Sequence, residues 1–276
     1  MGNRGRTAIA ESMEKPGGIN FSRIIVAVAL LWQMGCAVSM RKSLPGVETD
    51  PETAVARLDS LTRSLQTDKQ IIRVRLLDKG RTFSGDGALM YRAPDTLQLS
   101  IYGPPFSTLW LQLLTRGDSV LVVLPKDNRI VRASRTDPQP VTRLAGSEGL
   151  SDAVFLGGVT GIFQLERFRC PGMKIIAATD GRLCRLRLFN DSTAYEFVFD
   201  SGLDAVVQFL HYDRGKKSRE IIRSDFKPVG SLQRATKTIY RDYLQDREIT
   251  VLVSKEEVNP ELTEGAFKIL LPEGAN

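Results

Sequence analysis

From residue 71 to residue 132 the chain alternates apolar and polar positions with a period of two, as strands with one face turned inward do. Six such runs follow one another: Ile71–Leu77, Phe83–Arg92, Thr96–Tyr102, Thr108–Thr115, Ser119–Leu124 and Arg129–Arg132. Turn formers separate them, among them Lys79-Gly80, Ala93-Pro94-Asp95, Gly103-Pro104-Pro105 and Arg116-Gly117-Asp118. Short strands so closely spaced predict an antiparallel meander. Leu97, Leu99 and Ile101 share a face, with Gln98, Ser100 and Tyr102 opposite; Leu109, Leu111 and Leu113 share a face, with Trp110 and Gln112 behind. A second series is predicted over Met173–Thr179, Leu183–Asn190, Ala194–Asp200, Ala205–Tyr212, Glu220–Pro228, Lys237–Tyr243 and Glu248–Lys255. Its breaks at Thr179-Asp180-Gly181, Asn190-Asp191-Ser192, Asp200-Ser201-Gly202 and Asp213-Arg214-Gly215-Lys216 have the composition of hairpin turns. The fold class is therefore mainly β, with few helices.

The period changes to three and four between Val55 and Leu65, where Val55, Leu58, Leu61 and Leu65 line one side of a predicted helix. Asp50-Pro51-Glu52 supplies its N-cap, a proline in the first turn and an early acid. Asp137-Pro138-Gln139-Pro140 breaks the meander, since two prolines so close cannot both sit in a paired ladder. The apolar, glycine-rich stretch 149–163 that follows reads either as a short helix or lid, or as a hydrophobic plug in the core. Cys170 and Cys184 flank a hairpin centred on Thr179-Asp180-Gly181, which leaves two alternatives: a disulfide contributing about 3 kcal/mol in the chain-entropy picture, or two buried thiols.

Residues 1–35 stand apart. A leader carrying Arg4, Arg6 and Lys15 precedes Arg23, the apolar run Ile24–Trp32 and Gly35-Cys36. The apolar run is too short to span a bilayer, which takes roughly 20 residues, and has the length of a signal-peptide core. Gly35-Cys36 resembles a bacterial lipoprotein box, although Gln33 stands where the box usually carries Leu. The resemblance implies cleavage before Cys36 and acylation of Cys36; an ordinary secretory signal and an uncleaved anchor are the alternatives. Residues 36–50, polar and interrupted by Pro45-Gly46, are expected to form a flexible tether, and residues 51–276 one folded domain. Ala37, rather than Asp, after the cysteine implies by the same resemblance the outer membrane, facing the periplasm. Removing residues 1–35 lowers the formal charge of +6 by two. The remaining charges are well mixed, which argues against a nucleic-acid binder.

A tethered helix, a long meander, an apolar insert and a second meander resemble the LolA/LolB-like group of lipoprotein carriers and receptors. The residues that carry this are Gly85, Gly87, Tyr91 and Pro94, then Leu97, Leu99 and Gly103, and a closing Asn259-Pro260-Glu261-Leu262 followed by Phe267 and Leu271-Pro272. The resemblance implies an incomplete barrel covered by helices, whose apolar concave face holds membrane lipid or lipoprotein acyl chains delivered to the outer membrane, with a periplasmic carrier protein as partner. The alternative is an envelope assembly or sensor lipoprotein using the same fold to meet a protein. Phe106, on the loop stiffened by Pro104 and Pro105, matches in position the protruding membrane-contact loop of LolB; otherwise it folds back onto the core.

No nucleophile elbow, phosphate-binding loop, nucleotide fingerprint or metal-spaced Cys/His set is present, so no cofactor, metal or enzymatic activity is expected. The lone histidine, His211, reads as structural.

Overall fold

The computed structural model describes residues 44–104, 108–134 and 152–269. Among them a short strand β1 (Val47–Thr49) and helix α1 (Pro51–Ser64) precede six strands: β2 (Thr67–Asp78), β3 (Arg81–Arg92), β4 (Thr96–Gly103), β5 (Thr108–Arg116), β6 (Ser119–Leu124) and β7 (Arg129–Ser134). Helix α2 (Asp152–Thr160) leads to seven more: β8 (Lys174–Asp180), β9 (Leu183–Phe189), β10 (Thr193–Asp200), β11 (Ala205–Asp213), β12 (Lys216–Val229), β13 (Leu232–Asp242) and β14 (Arg247–Val258). All fourteen strands form one curved, unclosed antiparallel sheet, ordered β1-β8-β9-β10-β11-β12-β13-β14-β2-β3-β4-β5-β6-β7. The mainly-β, incomplete-barrel expectation holds. The two meanders meet where β14 pairs with β2, placing Val251 opposite Val74 and Ile249 opposite Leu76.

Helix α1 begins as its sequence dictates. The Asp50 carboxylate accepts from the backbone N–H of Glu52 at 3.2 Å and of Thr53 at 3.1 Å, occupying two donors that have no partner inside the helix. The Thr53 hydroxyl, which donates to Asp50 Oδ2 at 2.9 Å, and these backbone bonds hold the Asp50 carboxyl below its ordinary pKa. The helix then turns into β2 through a clamp supplied by Asn259. Its Oδ1 accepts from Gln66 N at 2.7 Å and Thr67 N at 3.2 Å, while its Nδ2 donates to Ser64 O at 3.0 Å. Asn259 sits at φ +54°, a left-handed conformation that asparagine tolerates better than most residues. The closing Asn-Pro-Glu-Leu phrase thus ties the end of β14 to the corner between α1 and β2.

Two expectations need correction. The tether does not run to residue 50, because Val47–Thr49 pairs with β8, with Val47 opposite Thr179 and Thr49 opposite Ala177. Three residues hold too short a pattern to be read as a strand. Strands β12 and β13 also start four and five residues before their predicted beginnings, since Lys216–Arg219 and Leu232–Thr236 lack clean apolar alternation.

The core lies on the inner face of the sheet as two clusters. One joins Ala54 and Leu58 of α1, Phe163, Leu165 and Phe168 to residues of β8–β13. The other joins Leu65, Leu156, Val159 and Ile162 to Ile72, Leu89, Tyr91, Leu97, Leu99 and Val251.

Candidate functional site

The inner face is filled unequally. Over β9–β11 it is aromatic: Phe163 lies 5.5 Å from Phe197 and 5.4 Å from Phe209, and Phe168 lies 5.2 Å from Tyr195, centroid to centroid. Phe163, Phe197, Phe199 and Phe209 are all fully buried. Tyr195, Phe197 and Phe199 face inward together, as their alternation with Glu196 and Val198 predicts. On the outer face Glu196 is held between Arg185, at 3.2 Å, and Arg187. His211 continues the aromatic row, stacked on Tyr195 with centroids 4.8 Å apart and 25° between ring planes. Burial, reinforced by the Arg219 guanidinium 3.4 Å from Nδ1, pushes the His211 pKa down to about 4. It is a packed structural histidine.

Helix α2 is a plug. The side chains of residues 156–160 are buried, and the glycines that weaken its helix propensity have packing reasons. A Cβ at Gly157 would stand 2.3 Å from the Phe163 ring. Gly161 ends the helix at φ +77°, and a Cβ there would meet the Arg223 guanidinium at 2.4 Å. The last carbonyls of α2 have no partners within the helix and accept from the sheet instead. Thr238 Oγ1 reaches Gly158 O at 3.4 Å, Gln70 Nε2 reaches Val159 O at 3.4 Å, and Arg234 Nη1 donates to Thr160 O.

Arg234 is itself held by Asp68 at 2.8 Å and Glu256 at 2.6 Å, with Arg234 5% and Asp68 0% exposed at their side chains. Burial raises the Asp68 pKa, the Arg234 charge opposes the rise, and the neighbouring Glu256 adds to it. Sequence reading missed this cluster, although Asp68 and Gln70 lie in phase with Ile72 on β2. Extending the alternation three residues back from Ile71–Leu77, to Asp68, would have turned both inward.

Over β2–β5 the inner face is aliphatic and less covered. Val74, Ile101, Leu111 and Leu113 are half-buried against the second cluster. Towards the β2–β3 turn the row continues through the cross-strand trio Ile249, Leu76 and Phe83, and Phe83 is 47% exposed. Gly85 and Gly87 stand beneath the row. A Cβ at Gly85 would come within 2.5 Å of Tyr102 O, and one at Gly87 within 2.7 Å of Ser100 O and 2.8 Å of Ile101 Cδ1. Glycine is therefore required where β3 bends against β4, and it leaves the floor shallow there. Among the described residues the result is a shallow apolar trough open at the Phe83 end.

No protein-family model and no curated protein matches the chain. Solved structures do. A domain assigned to outer membrane lipoprotein sorting from Vibrio parahaemolyticus aligns with TM-score 0.58 at 16% identity, over 79% of this chain and 95% of its own. A DUF1329 family protein from Desulfovibrio piger gives 0.55 at 12% identity, over 80% and 98%. A LolA superfamily protein from Nitrosomonas europaea gives 0.53 at 11%, also over 80% and 98%. The fold is LolA/LolB-like.

A LolA/LolB-like half-barrel implied an apolar concave cavity. Here the β8–β13 side is filled by α1 and the aromatic row, and the junction between the two clusters, beside Gly161 and Arg223, keeps a void of about 30 Å³. On the inner face the β2–β5 side keeps the less covered apolar surface among the described residues. Cys36 and Phe106 lie outside the described residues, as do most of the tether and the Asp137–Pro140 break. Cys170 and Cys184 stand apart as free thiols, Cys184 half-buried. Cys184 pairs across the hairpin with Thr179, whereas Cys170 is exposed and lies four residues before β8. Among the described residues no group of His, Cys, Asp and Glu could hold a metal ion, and no helix is long and apolar enough to cross a membrane.

Proposed function

We propose that this is an envelope lipoprotein, anchored through Cys36 in the outer membrane and facing the periplasm, that binds acyl chains of lipid or lipoprotein in the trough over β2–β5. The observation that carries this reading is the contrast along one inner face: aromatic side chains seal one half, and aliphatic side chains leading to a 47%-exposed Phe83 line the other. An aliphatic strip with few polar groups binds by apolar area, at about 25 cal/mol per Å² removed from water, and does not discriminate headgroups. That suits a carrier or receptor of acyl chains. Asp68 and Glu256 are committed to Arg234, and His211 is stacked and neutral near pH 7, so this reading assigns the protein no catalysis.

Native extraction followed by mass spectrometry tests the proposal. Co-purifying phospholipid or acyl peptide supports acyl carriage, and a stoichiometric protein with no lipid points instead to an assembly or sensor role. Loss of labelled palmitate incorporation in Cys36→Ser supports the anchor; incorporation that persists removes Cys36 from it.

A further inference from the structure

The outer face of the sheet carries a second apolar surface, remote in chemistry from the inner trough. By register Leu114 pairs with Leu121, Leu121 with Arg132, and Arg116 with Ser119, so these side chains share one face. Leu114 also pairs with Gln98, which faces away from the inner Leu97 and Leu99. The C-terminal segment lies across this outer face. Gln98 Nε2 donates to Lys268 O at 2.7 Å, and the buried Phe267 ring packs 4.9 Å from the Arg92 guanidinium. Beside Phe267 a cleft of about 370 Å³ opens, lined by Leu114, Leu121, Val120, Phe267, Arg116 and Arg132 among others.

Its charge is one-sided. Arg116 and Arg132 are exposed and form no ion pair among the described residues, and no carboxylate lines the cleft. Asp118, in the β5–β6 turn, is engaged by the Ser134 hydroxyl. Across β6 Arg116 stands in register with Ser134, two residues beyond Arg132, so the two arginines stand on backbones about 12 Å apart, diagonally across Ser119 and Leu121. A guanidinium binds a carboxylate through two parallel N–H donors. The cleft volume falls at the low end of the roughly 300–1,000 Å³ typical of small-ligand sites. That suits one chain better than two.

We propose that this cleft is a binding site for a single-chain fatty-acid anion, its carboxylate held by Arg116 and Arg132 and its alkyl chain lying on Leu114, Leu121 and Phe267. The site is independent of the acyl trough on the inner face, and its test reads the two faces separately.

The full chain is photolabelled with palmitate carrying a diazirine on its tail, and labelled peptides are mapped. Label is expected on the segment 114–132 and around residue 267. Arg116→Gln/Arg132→Gln should cut that label about tenfold at low salt, a loss set by removing two charge-assisted contacts. Label on inner-face residues 72–101 and the melting temperature should stay unchanged. The matching diazirine hexadecanol, which has no carboxylate, should label the outer segment weakly and identically in both proteins. Leu121→Asp, which puts a negative charge on the floor, should also remove the outer label. Outer label that is absent from the unmodified protein, or that survives the double arginine substitution, overturns the proposal.

Discussion

The two halves of the inner face are built from the same sheet and solve the same problem differently. Over β8–β13 the sheet meets α1 and the segment 163–168, and interlocked rings bury Phe163, Phe197, Phe199 and Phe209 completely. Over β2–β5 it meets, among the described residues, Leu65 at the end of α1, the C-terminal turns of α2 and Ile162, which cover Leu89, Tyr91, Leu97 and Leu99 but stop short of Leu76 and Phe83. One half is closed core, and the other passes from core at Leu89, Tyr91 and Leu97 to half-exposed surface at Phe83. Stability and ligand contact are therefore expected to separate along the sheet, and substitutions can test that separation.

The largest effect is expected in the sealed half. Phe209→Ala removes a ring that touches Phe163, Phe168, Tyr195 and Phe197, and should destabilise by about 3–5 kcal/mol, read from chemical denaturation. A loss below 1 kcal/mol would show that this half is loosely packed and erase the contrast. At the seam between the halves, Arg234→Met strands Asp68, Glu256 and the Thr160 carbonyl in a dry site. A comparable loss of about 3–5 kcal/mol is expected, because the partners of a buried charge suffer when it is removed.

Acid should act on the sealed half through His211. Its folded pKa is depressed to about 4 from the ordinary 6.5, so the unfolded chain binds the proton first as pH falls. The neutral-histidine contribution is complete above about pH 6.5 and is lost as pH drops towards 4, up to roughly 3 kcal/mol. His211→Gln should flatten the stability profile across that window relative to the parent. Equal slopes in the two proteins would show that carboxylates alone carry the acid sensitivity.

The smallest stability effect is expected in the open half. Phe83→Asp replaces a half-exposed ring and should cost under about 1 kcal/mol, while recovery of acyl chains in native extraction falls sharply. Unchanged lipid recovery would move the acyl site off the trough.

Much of this was legible in the sequence because strands announce themselves by alternation. Ser119–Leu124 was read to the residue, and α1 starts where its cap residues place it. What escaped was polar and inward. Asp68, Gln70, Arg234 and Glu256 look like solvent-facing strand residues, since only the neighbouring helix end gives them reason to be buried. The glycines of α2 left a helix and a plug both open: propensity speaks against a helix there, while Phe163 and Arg223 need the space the glycines leave. Cysteine spacing was uninformative, since hairpin register, rather than sequence separation, decides what Cys184 meets.

The pairing of β14 with β2 has a consequence for how the chain reaches its final shape. The two strands at the middle of the sheet come from opposite ends of the domain, with Val258 opposite Asp68 and Asn259 gripping the corner before β2. Each meander can form from local hairpins, yet neither can be completed by its own residues, and β2 keeps a free edge until the last strand arrives. Sequence-distant pairing of this kind slows folding, because a long loop must close before its contacts reward it. A chain still growing at its C-terminus, or clipped a few residues before β14, would present two half-sheets with unpaired edges at β13 and β2, a state prone to association with other copies. The last strand is the keystone in time as well as in space.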